Sequence, residues 1–202
     1  MKRILLVRHG ESEWNSVRRL QGQADIDLTQ TGRSQAIALR STVAALRPDR
    51  TLSSDLKRAR ETAALLGRDD AELTPALREI DVGAWTGAQI SQLIAGEGEN
   101  YRGWRAGTFV PPGGELWADF RDRTFAGVDT ALRAGAKRLL VVCHGGVIRA
   151  LLESLVGLPP HKIIPVGPAS LSIVAVRDED HRDIRLELFN FRPDGPVLDS
   201  PD

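Results

Sequence analysis

Two apolar runs in this chain stop in the same way. Ile4-Leu5-Leu6-Val7 gives way to Arg8-His9-Gly10, and Leu139-Leu140-Val141-Val142-Cys143 to His144-Gly145-Gly146. An apolar run that short, bounded by glycine, reads as a buried strand. Helical patterns lie between such strands. Thr29 opens a helix to about Leu46, with Ala36, Ile37, Leu39, Val43 and Leu46 on one apolar face. Asp55 to Leu66 is a second, capped by Ser53 or Ser54 and closed by Gly67. Ala88–Ile94, Phe120–Ala134 and Val147–Val156 follow, the last stopped at Gly157. Thr51–Ser53, Ser170–Arg177 and Ile184–Phe191 read as further strands, and Leu77–Ile80 as extended. Strands alternating with helices predict an α/β fold with a largely parallel sheet.

Composition narrows the function classes. A chain of 202 residues suits one α/β domain, with no repeat and no low-complexity stretch. Lys+Arg and Asp+Glu both number 27, so nothing points to a nucleic-acid or membrane surface. Lysine occurs only at Lys2, Lys57, Lys137 and Lys162, and a GC-rich genome accounts for the arginine excess better than anion binding does. Cys143 is the sole cysteine, which precludes an internal disulfide and suits a reducing compartment. The first apolar run is too short for a signal peptide or a membrane span, so a cytoplasmic protein is expected. Residues 1–192 are expected to form the domain, with a Gly-, Pro- and Trp-rich insertion or lid at about 95–114. Residues 193–202 are expected to be a loose tail.

Ligands of open α/β sheets bind at strand ends. Two of the four histidines follow an apolar strand and precede glycine. His9 in that position can serve as nucleophile, base or metal ligand. Arg8 beside it favours an anion, above all phosphate, which guanidinium grips bidentately. Metal readings fare poorly. His9-Gly10-Glu11 fits half of a zinc deaminase motif, but its C-x-x-C partner needs more than one cysteine. There is no H-E-x-x-H, calcium loop or P-loop lysine motif. Arginines and imidazoles repel a metal, and no cofactor is expected.

The stretch LLVRHGESEWN, residues 5–15, resembles the signature of the histidine phosphatase superfamily, also called the phosphoglycerate mutase-like family. The likeness extends through LQGQADIDLTQTGRSQA, SSDLKRARETA, LREIDVGAWTG, PPGGE, VVCHGGVIRALL and PASLSIVAV, in the family's order. It implies a single-domain, three-layer α/β/α sandwich with a mostly parallel central sheet. It implies that His9 is the nucleophile and passes through a phosphohistidine, with Gly10 available to accept the other ring N–H. Arg8 and Arg58 become the phosphate clamp, and His144 the second imidazole beside it. Glu79 matches the proton donor. Asn15, Gln21, Gln23 and Gly145 match substrate or phosphate contacts. Arg58 competes with Lys57 and Arg60, and only the LKRA register selects it. Glu79 competes with Asp81. Cys143 stands where the family usually has a small hydroxyl residue, and Leu116 where a serine usually follows GGE. Trp14 and Trp85 read as packing, and His161 and His181 as inert loop residues.

Two outcomes share this chemistry. A phosphatase lets water take the phosphoryl group from histidine, whereas a mutase keeps the phosphoenzyme dry. The short segment after LREIDVGAWTG resembles the phosphatase branch, so a cofactor-independent phosphomonoesterase acting on a small phosphorylated metabolite is expected. A phosphoglycerate mutase is the alternative enzyme, and a non-catalytic phospho-ligand binding module the alternative class. Arg102, Trp104, Arg105 and Phe109 read either as a wall for the rest of the substrate or as a cover over the sheet, and the two arginines hint at a second acidic group. No nucleic-acid or membrane partner is expected, and a homodimer is left open.

Overall fold

The computed structural model describes residues 1–177 and 183–196. Six strands form one sheet in the order β3-β2-β4-β1-β5-β6. They are β1 (Lys2–Arg8), β2 (Arg50–Ser54), β3 (Glu72–Thr74), β4 (Arg138–Cys143), β5 (Leu171–Val176) and β6 (Ile184–Phe191). β1 to β4 run parallel, β5 pairs antiparallel with β1, and β6 antiparallel with β5. Alternate residues of the apolar runs divide between two cores. Ile4, Leu6, Leu139 and Val141 face one side, against Phe120, Val128, Leu132, Ile148 and Leu151. These belong to α5 (Trp117–Arg133) and α6 (Gly145–Val156). Leu5, Val7, Leu140 and Val142 face the other, against Leu39, Val43, Ala59 and Ala63. Those lie on α2 (Gln30–Ala45) and α3 (Lys57–Leu65). The result is the expected three-layer sandwich. Each fully buried aliphatic or aromatic side chain contributes about 1.5–3 kcal/mol to it.

Several boundaries differ from expectation. The helix predicted to end at Ile94 is α4 (Ile90–Ala106), so most of the 95–114 segment is helical. Its glycines argued for a loop, but Trp104 is buried in the core and Tyr101 packs against it and against Trp85. Tertiary burial outweighs the modest cost of exposed helical glycine. A break survives at Glu97, whose φ of −133° is not helical. A short helix, α1 (Glu13–Ser16), and strand β3 were not anticipated. Leu77, expected to open an extended segment, instead closes a 3-10 turn, Pro75–Leu77, and Arg78 after it is extended. α3 is capped at Leu56 without a side-chain hydrogen bond, so neither Ser53 nor Ser54 is its cap. Of the expected tail, residues 197–202 lie outside the described residues, as does His181.

The loop leaving β1 is clamped to the start of α2. Thr29 caps that helix, its Oγ1 accepting from Gly32 N–H at 3.0 Å, while Thr29 N–H donates to Glu11 O at 2.9 Å. Two glycines permit the approach. A Cβ on Gly10 would lie 2.3 Å from Gly32 O, and one on Gly32 would lie 2.1 Å from Glu11 O. Both obstacles are backbone and cannot swing aside. Gly32→Ala should therefore cost about 1–3 kcal/mol, the usual range for overpacking, and lower the melting temperature. Ser34→Ala, exposed in the same helix, should stay within about 0.5 kcal/mol of the parent. Equal effects of the two would mean that the glycine contact is dispensable.

Candidate active site

Parallel register builds the site. Arg8 pairs with Cys143 across β1 and β4, so the residues that follow, His9 and His144, leave the sheet side by side. Their rings meet edge to face with centroids 5.1 Å apart. Ser53 pairs with Val142 across β2 and β4, which carries Ser54 to the same edge. Ser54 Oγ lies 2.9 Å from His144 Nε2. That hydroxyl also accepts the Leu56 N–H. The other ring nitrogen of His144, Nδ1, is buried and has no hydrogen-bond partner among the described residues.

His9 is held in a single tautomer. Its Nδ1 is 2.6 Å from Gly10 O, which can only accept, so Nδ1 carries the proton and Nε2 keeps its lone pair. Arg58 Nε donates to that Nε2 at 3.3 Å, while its other two nitrogens donate to Ala24 O and Gly22 O at 2.6 and 2.9 Å. Thr62 Oγ1 accepts from Gly10 N–H and donates to Arg58 O, tying nucleophile loop to clamp helix. Arg8 Nη1 donates to Val166 O. Burial lowers Arg8 and Arg58 to about 10 each, with Glu79 opposing the shift in both. Burial, and then Arg58, push both histidines well below the ordinary imidazole value. Two fixed cations thus face two neutral rings, an arrangement suited to a phosphate dianion.

Glu79 closes the cleft from the opposite side. Its Oε2 accepts from Gly146 N–H at the start of α6 at 3.0 Å, and its Oε1 from Ile80 N–H at 2.8 Å. A Cβ on Gly146 would sit 2.2 Å from Oε1, so only glycine lets the carboxylate lie there. Arg123 fixes the backbone beneath it. The guanidinium donates to the carbonyls of Ala76, Arg78 and Glu79 and pairs with Glu115, whose Oε2 accepts Asp81 N–H. Asp81 is spent on Gly83 N–H and does not line the cleft, so geometry separates the two competing carboxylates in favour of Glu79.

The other expected residues divide. Arg8, His9, Gln21, Arg58, Glu79 and Gly145 all line one cleft of about 430 Å³ that opens to solvent. His144 stands behind His9. Asn15 does not line the cleft. It is buried in a capping box with Ser12, whose hydroxyl donates to Gln21 Oε1 at 2.8 Å, and Gln21 lines the cleft. Gln23 donates to Glu79 O at 3.3 Å instead of facing the cleft. The expected wall also divides. Trp104 lines the cleft and Phe109 stacks on Trp85 at 5.6 Å. Arg102 and Arg105 line a separate surface hollow with His161. Leu116 is exposed at the start of α5 and leaves that helix without a side-chain cap. Cys143 is wholly buried, and burial with Glu79 nearby keeps its thiol protonated. No grouping of three or more His, Cys, Asp or Glu able to hold a metal occurs among the described residues.

One lining residue escaped sequence reading. Arg149 lies on α6, is 3 % exposed, and is lowered by burial to about 9. The signal was available: a lone arginine inside Val147-Ile148-Arg149-Ala150-Leu151-Leu152, where a buried cation needs a reason. Gly146 was likewise overlooked, although it is the second glycine after His144.

Residues 4–190 match the model of the histidine phosphatase superfamily, branch 1. A glucosyl-3-phosphoglycerate phosphatase of Mycolicibacterium vanbaalenii is 36% identical over 171 residues, 79% of this chain and 76% of that one. A probable phosphoglycerate mutase of Salmonella paratyphi C is 36% identical over 169 residues, 79% of this chain and 77% of its own. Among solved structures, a mycobacterial glucosyl-3-phosphoglycerate phosphatase in complex with VO3 superposes with a TM-score of 0.85 at 30% identity. That match covers 94% of this chain and 99% of the other.

The neutral histidines link stability to pH. An unfolded chain protonates both below about pH 6.5, whereas the folded chain resists. Their contribution is therefore present above that pH and lost as pH falls through it, by up to about 1.4 kcal/mol per unit for each ring. Urea denaturation between pH 7 and 5 should reveal this slope, and His144→Gln should make it shallower. An unchanged slope in that variant would mean that His144 is not held neutral.

Proposed function

The chain belongs to the histidine phosphatase superfamily, and from that membership we propose that it is a cofactor-independent phosphomonoesterase acting through a phosphohistidine on His9. One observation carries the reading. His9 Nε2 is an unprotonated ring nitrogen in a cleft whose opposite wall is a carboxyl group, with buried arginines beside it. In the first step the Nε2 lone pair forms a bond to phosphorus as the bond to the leaving oxygen breaks. Glu79, as general acid, gives a proton to that oxygen. Arg8 and Arg58 stabilise charge on the phosphoryl oxygens, with His144 as the second imidazole beside His9. In the second step water attacks phosphorus, the P–N bond breaks, and Glu79 takes the water's proton. Inorganic phosphate leaves and the starting enzyme is restored.

Hydrolysis is supported by the relative named as a phosphatase. A small phosphorylated metabolite is supported by the buried cations Arg8, Arg58 and Arg149 that line the cleft with His9. Isomerisation is the second reading, favoured only by the relative named as a probable mutase. With phosphoglycerates as substrates, inorganic phosphate should exceed isomerised product; the reverse ratio would move the assignment to mutase.

The nucleophile and acid are tested separately. Rapid quench with labelled substrate should trap an acid-labile, base-stable phosphoenzyme, absent in His9→Ala. Label retained in that variant would overturn the role of His9. Glu79→Gln should lose about 10²–10⁴-fold in rate on an alkyl ester, the span of general acid catalysis. It should lose less on an aryl ester, whose leaving group needs less proton donation. Asp81→Asn should lack this dependence on the leaving group.

A further inference from the structure

Pro111-Pro112-Gly113-Gly114-Glu115 takes no part in the chemistry above, yet it lies against the loop that carries Glu79. That loop needs outside support. His9 and His144 each follow directly on a strand of the sheet, and Glu79 does not. Residues 78–82 run between two 3-10 turns, Pro75–Leu77 and Gly83–Trp85, and belong to no helix or strand. Backbone carbonyls in such a stretch have no ladder to pair with and must find donors elsewhere.

Arg123 supplies them from α5. Its Nη1 donates to Ala76 O and Arg78 O at 2.8 and 2.9 Å, and its Nη2 to Glu79 O at 3.0 Å. The other two donors go to Glu115, Nε to Oε1 at 2.6 Å and Nη2 to Oε2 at 2.8 Å. All five guanidinium N–H groups are thereby used, in a rigid fork that lysine cannot reproduce. Both side chains of the pair are mostly buried, so water competes with it less than at an open surface. Glu115 carries the hold further along the loop. Its Oε2 accepts Asp81 N–H at 3.2 Å, and its own N–H donates to Asp81 O at 2.9 Å. Backbone contact completes the junction. Ala84 N–H donates to Pro112 O at 2.9 Å, and a Cβ on Gly83 would lie 2.3 Å from that same oxygen.

The Glu79 carboxylate has two donors of its own, and they differ in kind. Ile80 N–H belongs to the same loop and moves with it. Gly146 N–H belongs to α6 and is a fixed reference. The carboxylate stays in register with α6, and so with His9, only while the backbone of residue 79 stays where Arg123 holds it. A displacement of about 1 Å in a reacting group can cost about 100-fold in rate.

We propose that Arg123 and Glu115 are positioning residues for the acid, clamping the Glu79 loop so that protonation of the leaving group depends on them while attack by His9 does not. This rests on the phosphatase reading above, with Glu79 as the proton donor.

Two esters of similar shape test it. Phenyl phosphate needs a proton on its leaving oxygen more than 4-nitrophenyl phosphate does, and kcat/KM reports the steps up to transfer of the phosphoryl group to His9. Arg123→Met should lower kcat/KM about 10-fold or more on phenyl phosphate and by less than about threefold on the nitrophenyl ester. Glu115→Gln should show the same selectivity at smaller size, and Arg123→Lys should recover part of the loss. In a Glu79→Gln background, Arg123→Met should cost less than about threefold on either ester, because the donor it positions is already gone. Equal losses on the two esters, or a loss undiminished in the Glu79→Gln background, would overturn the proposal and leave the pair a purely structural role. If Arg123→Met does not fold, Glu115→Gln and Arg123→Lys decide the matter by the same ratio. Wild-type activity without a selective loss in the variants refutes the clamp alone. No phosphate release from any ester by the wild-type protein refutes the phosphatase reading beneath it.

Discussion

Arg8 opposite Cys143, in the parallel ladder of β1 and β4, is the pairing from which the site is laid out. A parallel ladder sends both chains off the same edge of the sheet, and equal register makes them leave at the same height. Two histidines, one residue past each strand, then have to meet. A shift of one residue would turn alternate side chains to the opposite face, exchanging the core assignments of Leu5 and Leu6. Site geometry and core packing are therefore enforced by the same pairing, and a slip that spoiled one would spoil the other.

That edge concentrates positive charge where little opposes it. Arg8, Arg58 and Arg149 are buried, and Glu79 is the carboxylate that counters all three. Burial without full pairing is unfavourable for the unliganded protein. The arrangement persists because the surrounding structure determines it several times over. Arg58 is held by three acceptors, and Glu79 by two backbone N–H groups and the Arg123 clamp below. The histidines stay neutral in this field, and neutrality is what a nitrogen nucleophile requires. An arriving dianion offsets the cations and satisfies donors that are otherwise idle. Binding and preparation for chemistry then come from one electrostatic imbalance.

The parts legible in the sequence were those set by local pattern. Apolar runs ending in histidine and glycine marked β1 and β4, Thr29 marked the start of α2, and Gly157 the end of α6. Arg58, Glu79 and His144 were legible because motif register selects them. The rest depended on contacts distant in sequence. Nothing local in Gly96, Gly98 and Gly103 announces a helix, and α4 exists because Trp104 and Tyr101 pack on Trp85, far along the chain. Asn15 carried a motif position, yet the capping box with Ser12 claims its side chain. Arg123 looks like any exposed helix arginine until the fold brings it under Ala76, Arg78 and Glu79. Arg149 was the one omission with a local signal, a charge inside the most apolar helix of the chain.

These two kinds of legibility correspond to two parts of the cleft. Arg8, His9 and His144 sit directly at strand ends, where backbone hydrogen bonds fix them to within the sheet's own precision. The cleft-lining Trp104 and Arg149 sit on α4 and α6 and are positioned by side-chain packing with Trp85 and Trp117. Packing of this kind tolerates substitution where volume is conserved. The backbone contacts of Gly10 and Gly32 do not, since a Cβ on either would lie within 2.3 Å of a backbone oxygen, and a Cβ on Gly146 would displace the Glu79 carboxylate. Changes to the aromatic wall can therefore alter what is bound while leaving the phosphate end intact. Two relatives of equal identity to this chain carry different activities in their names, one a phosphatase and one a probable mutase. A fixed reaction edge beside an adaptable wall is a physical arrangement in which that divergence can arise without rebuilding the fold.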